Sequence, residues 1–186
     1  MIFNGMPTDF THLVDGIAIR NLSTASDAQI LQLADLLVDC VEGGASVSFM
    51  SPLTRQRAAS FWRDVLASVA RGERMLLVAE EAGSILGSVQ LVLAQPENQP
   101  HRADVSKMLV LTRMRRRGLG AALMRGIEET ARACGKTLLV LDTASDAAER
   151  LYMKLGWQRV GVIPGFALLP QGGLCDTTFF YRTLAP

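Results

Sequence analysis

Histidine is nearly absent from this chain of 186 residues. His12 and His101 are the only two, too few to build a zinc site. Cysteine is scarce as well: Cys40, Cys134 and Cys175 are odd in number, far apart and outside any Cys-x-x-Cys pair. That pattern argues against a disulfide framework or a metal ribbon, and the expected setting is a reducing cytoplasm. The first residues, Met-Ile-Phe-Asn-Gly-Met-Pro, lack the basic region and continuous apolar run of a signal peptide. No apolar run reaches the roughly 18 residues of a membrane span. Net charge is also small, at +1, so no global field favours nucleic acid or an anionic membrane as partner. A phosphate-binding P-loop is missing too, because no Gly-Lys-Ser/Thr follows a glycine run.

The apolar material is ample. Hydrophobic residues make up 49% and charged residues 20%, enough for one domain (residues 1–186, core about 15–184) to bury a core without staples. Asp15–Asn21 reads as a first strand. Residues 26–42 carry Ile30, Leu33, Leu36, Leu37 and Cys40 at helical spacing and stop at Gly43-Gly44. A second helix over 53–71 offers Ala59, Trp62, Leu66 and Val69 as anchors. Met75–Glu81 and Ile85–Leu93 read as a hairpin, and Val105–Leu111 as the next strand, before a helix from Arg117 to Cys134. Thr137–Asp142 has the unbroken apolar centre of a buried parallel strand. Asp146–Leu155 places Ala148, Leu151, Tyr152 and Leu155 on one helical face. Trp157–Val162 and Thr177–Thr183 close the chain as strands around a Gly/Pro-rich loop. The order predicts one mixed α/β domain.

The most informative stretch runs from Met108 to Ala122. An apolar strand passes through a turn with Arg113, Arg115, Arg116 and Arg117, and the turn opens at Gly118 and Gly120 into an amphipathic helix. Glycines let backbone approach a ligand, and the first helical turn offers unpaired N–H groups and a positive dipole end. Four arginines beside such an anion site suit a small polyphosphate ligand, although a solvated basic turn has the same composition. Asp142 at the next strand end imitates a dinucleotide fingerprint, but Leu123 stands where its third glycine belongs.

Arg115-x-x-Gly118-x-Gly120 resembles the pyrophosphate signature of the GNAT superfamily, the N-acetyltransferases that use acetyl-coenzyme A. A second match, Ala148-x-x-x-Tyr152-x-x-x-Gly156-Trp157, resembles the family's helix that carries a tyrosine acid; the family's Asn falls at Ser145 here. The resemblance implies the GNAT fold, a single mixed, mostly antiparallel central sheet of about seven strands with helices on both faces. It implies acetyl-CoA held by Arg115, Arg116, Arg117, Gly118, Leu119, Gly120 and Ala121, by the strand backbone of Met108, Leu109 and Val110, and by Ser145. Tyr152 is then the general acid, with Asp104 or Asp142 as general base and no metal. Gly43–Met50, Arg102–Asp104 and Val160–Phe166 further resemble the tabtoxin resistance branch, whose members acetylate a small β-lactam toxin.

The residues read alone keep plainer roles open. Tyr152 suits a packed core position, Asp142 a loop cap, Asp104 a strand surface, Ser145 or Asp146 a helix N-cap, and Cys134 packing. The expected function is transfer of an acetyl group to the amine of a small molecule, amino-acid-like or an antibiotic or toxin. The rival is a non-catalytic acyl-CoA sensor or partner module. The residues choosing the acceptor are expected on loops 43–52 and 163–176; the oligomeric state, a homodimer included, is left open.

Overall fold

The computed structural model describes residues 12–14 and 16–185. Eight strands form one mixed sheet: β1 (His12–Val14), β2 (Ile17–Asn21), β3 (Arg74–Glu81), β4 (Ser84–Val92), β5 (Arg102–Val110), β6 (Leu138–Thr143), β7 (Gln158–Leu168) and β8 (Leu174–Thr183). Their spatial order is β1-β2-β3-β4-β5-β6-β8-β7, and every neighbouring pair is antiparallel except β5–β6. Four helices cover the sheet: α1 (Asp27–Glu42), α2 (Arg55–Ala70), α3 (Leu119–Ala133) and α4 (Asp146–Lys154).

Local chemistry explains the helix starts. Ser26 Oγ accepts from Gln29 N while the Gln29 side chain accepts from Ser26 N, a capping box that satisfies two orphan donors of α1. Thr54 caps α2 and Ser145 caps α4 in the same way, by single side-chain bonds. Two cores follow, one per sheet face. Against α3 lie Ile17, Ile19, Leu77, Leu91, Val105, Leu139 and Phe180; against α1 and α2 lie Leu22, Leu76, Val78, Ile85 and Leu109.

Val105 and Leu109 belong to opposite cores although they lie an even four positions apart, which a regular strand forbids. A bulge is the cause. Gln90 pairs with Ser106 and Ser88 with Leu109, so β5 carries one residue more than β4, and Lys107 sits there at φ +49°. The same strand loses its other neighbour: β5 and β6 pair only from Arg102↔Leu138 to Asp104↔Val140. Beyond that point β6 stays with β8 as far as Thr143↔Thr178, and the sheet forks.

Three expectations change. The first strand becomes a hairpin, with β1 paired to β2 across Gly16 at φ +82°, and this brings the count from seven to eight; the Asp15-Gly16 turn signal was there to find, although Asp15 lies outside the described residues. β6 alternates half-buried (Leu138, Val140) with buried (Leu139, Leu141) side chains, because α1 and α2 sit over β3–β5 and leave its second face uncovered. The last two strands are longer than Trp157–Val162 and Thr177–Thr183, since β7 continues through Pro164 by a bulge between Ile163 and Ala167 that spares the proline a ladder bond. Smaller shifts occur in α2, where Ala58 and Val65 are buried beside Ala59 and Trp62, while Leu66 and Val69 are half-buried.

Candidate active site

The fork between β5 and β6 opens a cleft of about 1100 Å³. One arm is Val105–Val110, whose inner backbone edge has no strand partner after Asp104; the other is Leu141–Ser145 at the end of β6. An unpaired edge presents N–H and C=O groups ready to pair with an amide-bearing ligand. The cleft's far end is the α3 N-terminus. The first bond within the helix runs from Ala122 N to Gly118 O, which leaves the N–H groups of Leu119, Gly120 and Ala121 without an intrahelical acceptor. Arg116 (φ +62°) and Gly118 (φ +83°) are both left-handed, and such a turn aims successive N–H groups inward as an anion nest. A Cβ on Gly120 would stand 3.1 Å from Leu151 Cδ2 and 3.7 Å from Met108 Sδ, so hydrogen at this position keeps the passage open.

This loop is held from outside. Asp39 Oδ2 near the end of α1 accepts from Thr112 N at 2.7 Å and from Thr112 Oγ1 at 2.9 Å, fixing the turn that precedes the arginines. Arg115 Nε donates to Val110 O at 3.3 Å, closing the end of β5.

The cleft lining includes Met108, Leu109, Val110, Arg115, Arg116, Gly118, Leu119, Gly120, Ala121, Asp142, Ser145 and Tyr152. Arg117 is outside it: exposed, its Nη1 donates to Met114 Sδ at 3.4 Å. Asp104 is outside as well. Arg102 Nη1 and Gln95 Nε2 (3.1 Å) donate to its carboxylate, yet its charge still reaches Asp142. Ser145 spends its hydroxyl on Ala148 N at 3.4 Å as the α4 cap.

Tyr152 is 4% exposed, with Trp157 and Phe180 rings at 6.1 and 5.8 Å, and still borders the cleft. Packing and access therefore coexist in one residue. Burial, reinforced by the Asp142 charge, pushes its phenol well above the usual range, so it holds its proton at neutral pH. Its seat is fixed by a buried network: Trp157 Nε1 donates to Glu128 Oε1 at 2.9 Å, Arg182 Nε lies 3.0 Å from Glu128 Oε2, and Arg182 Nη1 donates to Leu155 O at the end of α4.

Asp142 opens to the cleft. Desolvation raises its carboxyl pKa, Lys107 opposes the rise and Asp104 adds to it. Ala148, Leu151 and Leu155, read as the packing stripe of α4, are half-buried and border the cleft.

Several residues escaped the sequence reading. Arg125 lies one helical step of four beyond Ala121 on the cleft side of α3, and Lys154 faces it from α4; the 3.6-residue period signals the first. Lys107 carried no signal, because a bulge brings it to Ser48 of the loop 43–52 on which acceptor contacts are expected.

The segment after α1 docks on the β7–β8 hairpin through Ser46 Oγ to Leu168 O (3.3 Å) and Ser51 N to Pro170 O (2.9 Å). Between them lies a second hollow of about 250 Å³, bounded by Ser46, Ser48, Phe49, Met50, Asp142, Ala144, Phe166, Ala167, Leu168 and Thr177. Asp142 stands where the two spaces join. Among the described residues no cluster of His, Cys, Asp and Glu could hold a metal, all three cysteines are free, and no helix is long and apolar enough to cross a membrane.

Residues 32–157 match the family model described as Acetyltransferase (GNAT) family. An "Uncharacterized N-acetyltransferase in hisH-hisA intergenic region" of Azospirillum brasilense is 31% identical over 128 residues, covering 68% of this chain and 74% of the relative. A ribosomal-protein-alanine N-acetyltransferase from Brucella melitensis superposes with a TM-score of 0.76 at 23% identity, over 89% of this chain and 99% of that one. A GNAT superfamily phosphinothricin acetyltransferase from Sinorhizobium meliloti, solved with acetyl-CoA, superposes at 0.74 with 18% identity, over 91% and 89% of the two chains. At these identities the two solved structures share the fold.

Proposed function

The chain belongs to the acetyltransferase (GNAT) family, and we propose that it is an N-acetyltransferase moving the acetyl group of acetyl-CoA to the amine of a small molecule. The observation that carries this is the forked sheet. One continuous cleft runs from free helix N–H groups, along an unpaired strand edge, to a buried phenol and a carboxylate. Those parts fit the coenzyme in order. The N–H groups of Leu119–Ala121, with Arg116, Arg125 and Lys154 near, suit a pyrophosphate. The backbone of Met108–Val110 suits the amides of a pantetheine arm. The coenzyme, when bound, supplies an activated acetyl thioester.

The chain's own groups do the rest. Holding both reactants in one geometry contributes up to about 7–11 kcal/mol. Asp142 accepts a proton from the acceptor ammonium, directly or through water, and its raised pKa makes it a better base than an ordinary carboxylate. Tyr152, protonated and bordering the cleft, donates to the departing thiolate. Asp104, engaged by Arg102, acts on Asp142 through charge alone.

Within the family, Gly43–Met50 and Val160–Phe166 resemble the tabtoxin resistance branch; the first contributes Ser46, Ser48, Phe49 and Met50 to the second hollow and the second contributes Phe166. That supports a small acceptor, as does the hollow's modest volume. Three free thiols fit a cytoplasmic setting. Thiol release from acetyl-CoA across a panel of small amines and a peptide N-terminus tests the reading. Turnover of small amines is expected; exclusive use of the peptide would replace the acceptor class.

A further inference from the structure

Four non-glycine residues among those described hold positive φ: Ser48, Ala82, Lys107 and Arg116. Such backbones are uncommon and costly, and they gather where function requires them. Ala82 makes the β3–β4 turn and Arg116 shapes the nest before α3. The other two, 59 residues apart in sequence, meet: Lys107 Nζ donates to Ser48 Oγ at 3.2 Å. A bulge in β5 and a strained loop thus converge to put one ammonium on the lining of the cleft, against Ser48, which borders both the cleft and the second hollow.

That ammonium has little else to satisfy it. Lys107 is half-buried, with the Phe61 ring 6.0 Å from Nζ, and among the described residues no carboxylate lies within ion-pair distance. An ammonium has three donors, and a partly desolvated one calls for an anion. Arg74, half-buried within its electrostatic reach, bonds to the neutral Gln90 Oε1 and so adds positive potential. Opposite in sign stands Asp142, also without a side-chain donor. The two charges are close enough to influence each other, and neither has an oppositely charged group within ion-pair distance among the described residues, an arrangement complementary to a zwitterion. The walls beyond are apolar: Phe49, Met50, Phe166 and Leu168.

We propose that Lys107, presented by Ser48, binds the carboxylate of the acceptor, so that the substrate is a primary amine bearing a carboxylate and a compact apolar side chain. The inference rests on the acetyltransferase reading. Asp142 then faces the ammonium of the same molecule, and a peptide N-terminus, whose neighbouring carbonyl is an amide, leaves Lys107 without its anion.

The test compares matched acceptors by thiol release: L-leucine, L-methionine and L-phenylalanine, their carboxamides, and the amines lacking the carboxyl group. The acids are expected to be used at least about tenfold better by kcat/KM, the worth of one charge-assisted bond. Measured on the alkaline plateau, where Asp142 is ionised with or without the Lys107 charge, Lys107→Met should raise KM for the acids about tenfold or more, change the carboxamides far less, and keep the acetyl-CoA Kd, which also reports folding. Ser48→Ala should act in the same direction more weakly. Equal use of acid and amide, equal slowing of every acceptor by Lys107→Met, or no use of acids by a chain that binds acetyl-CoA overturns the assignment. A chain that binds no acetyl-CoA overturns the acetyltransferase reading itself.

Discussion

The two ends of the cleft are built by different means. At the α3 end a single continuous segment, Met108–Ala121, supplies strand edge, turn, glycines and helix N-terminus. At the Asp142 end the space is assembled from the loop after α1, the β5 bulge, the β6 terminus and the β7–β8 hairpin. Backbone geometry does the work at the first end and convergent side chains at the second. A change at one should therefore leave the other's readout standing, and each substitution below tests that separation.

The largest effect is expected at the junction. Tyr152→Phe should lower kcat by about 10²–10⁴-fold in single-turnover acetyl transfer, while calorimetry shows nearly wild-type acetyl-CoA affinity. Undiminished turnover would return Tyr152 to a purely packing role beside Trp157 and Phe180. Gly120→Trp comes next: a Cβ already meets Leu151 at 3.1 Å, and an indole must enter the passage. Acetyl-CoA affinity should fall about a hundredfold, equivalent to about 2.8 kcal/mol, with the circular dichroism of the fold retained.

The same contrast explains what the sequence discloses. A motif confined to 14 residues announces itself through composition and spacing, and so does α1, whose predicted stripe is buried at every position. Tyr152 and Asp142 were legible as candidates, but their meeting depends on the fork, and nothing in Arg102–Val110 signals that pairing with β6 ends at Asp104. The bulge at Lys107 is equally silent, since lysine has no propensity for it and long-range packing imposes the conformation. Pro164 and Gly165 read as loop because a proline normally ends a ladder, yet β7 is an edge strand and a bulge absorbs them.

Two smaller effects sharpen the comparison. Gly118→Ala should cost about 1–2 kcal/mol of stability, from the left-handed backbone at φ +83° alone, since nothing lies within 4 Å of the added methyl. A Tm lower by a few degrees, measured without ligand, is the expected result. Asp104→Asn should move the acidic limb of the kcat/KM profile to lower pH. The base works deprotonated, and the Asp104 charge raises the Asp142 pKa, so its removal lets Asp142 ionise sooner as pH rises. An unmoved limb would assign the titration to another group.

The account's central claim is that the β5–β6 fork with the α3 N-terminus holds acetyl-CoA. Calorimetric titration of the wild-type chain with acetyl-CoA, with NAD as the control, tests it most directly. Micromolar binding of acetyl-CoA and none of NAD is predicted; absence of acetyl-CoA binding, or binding of NAD in its place, would contradict it.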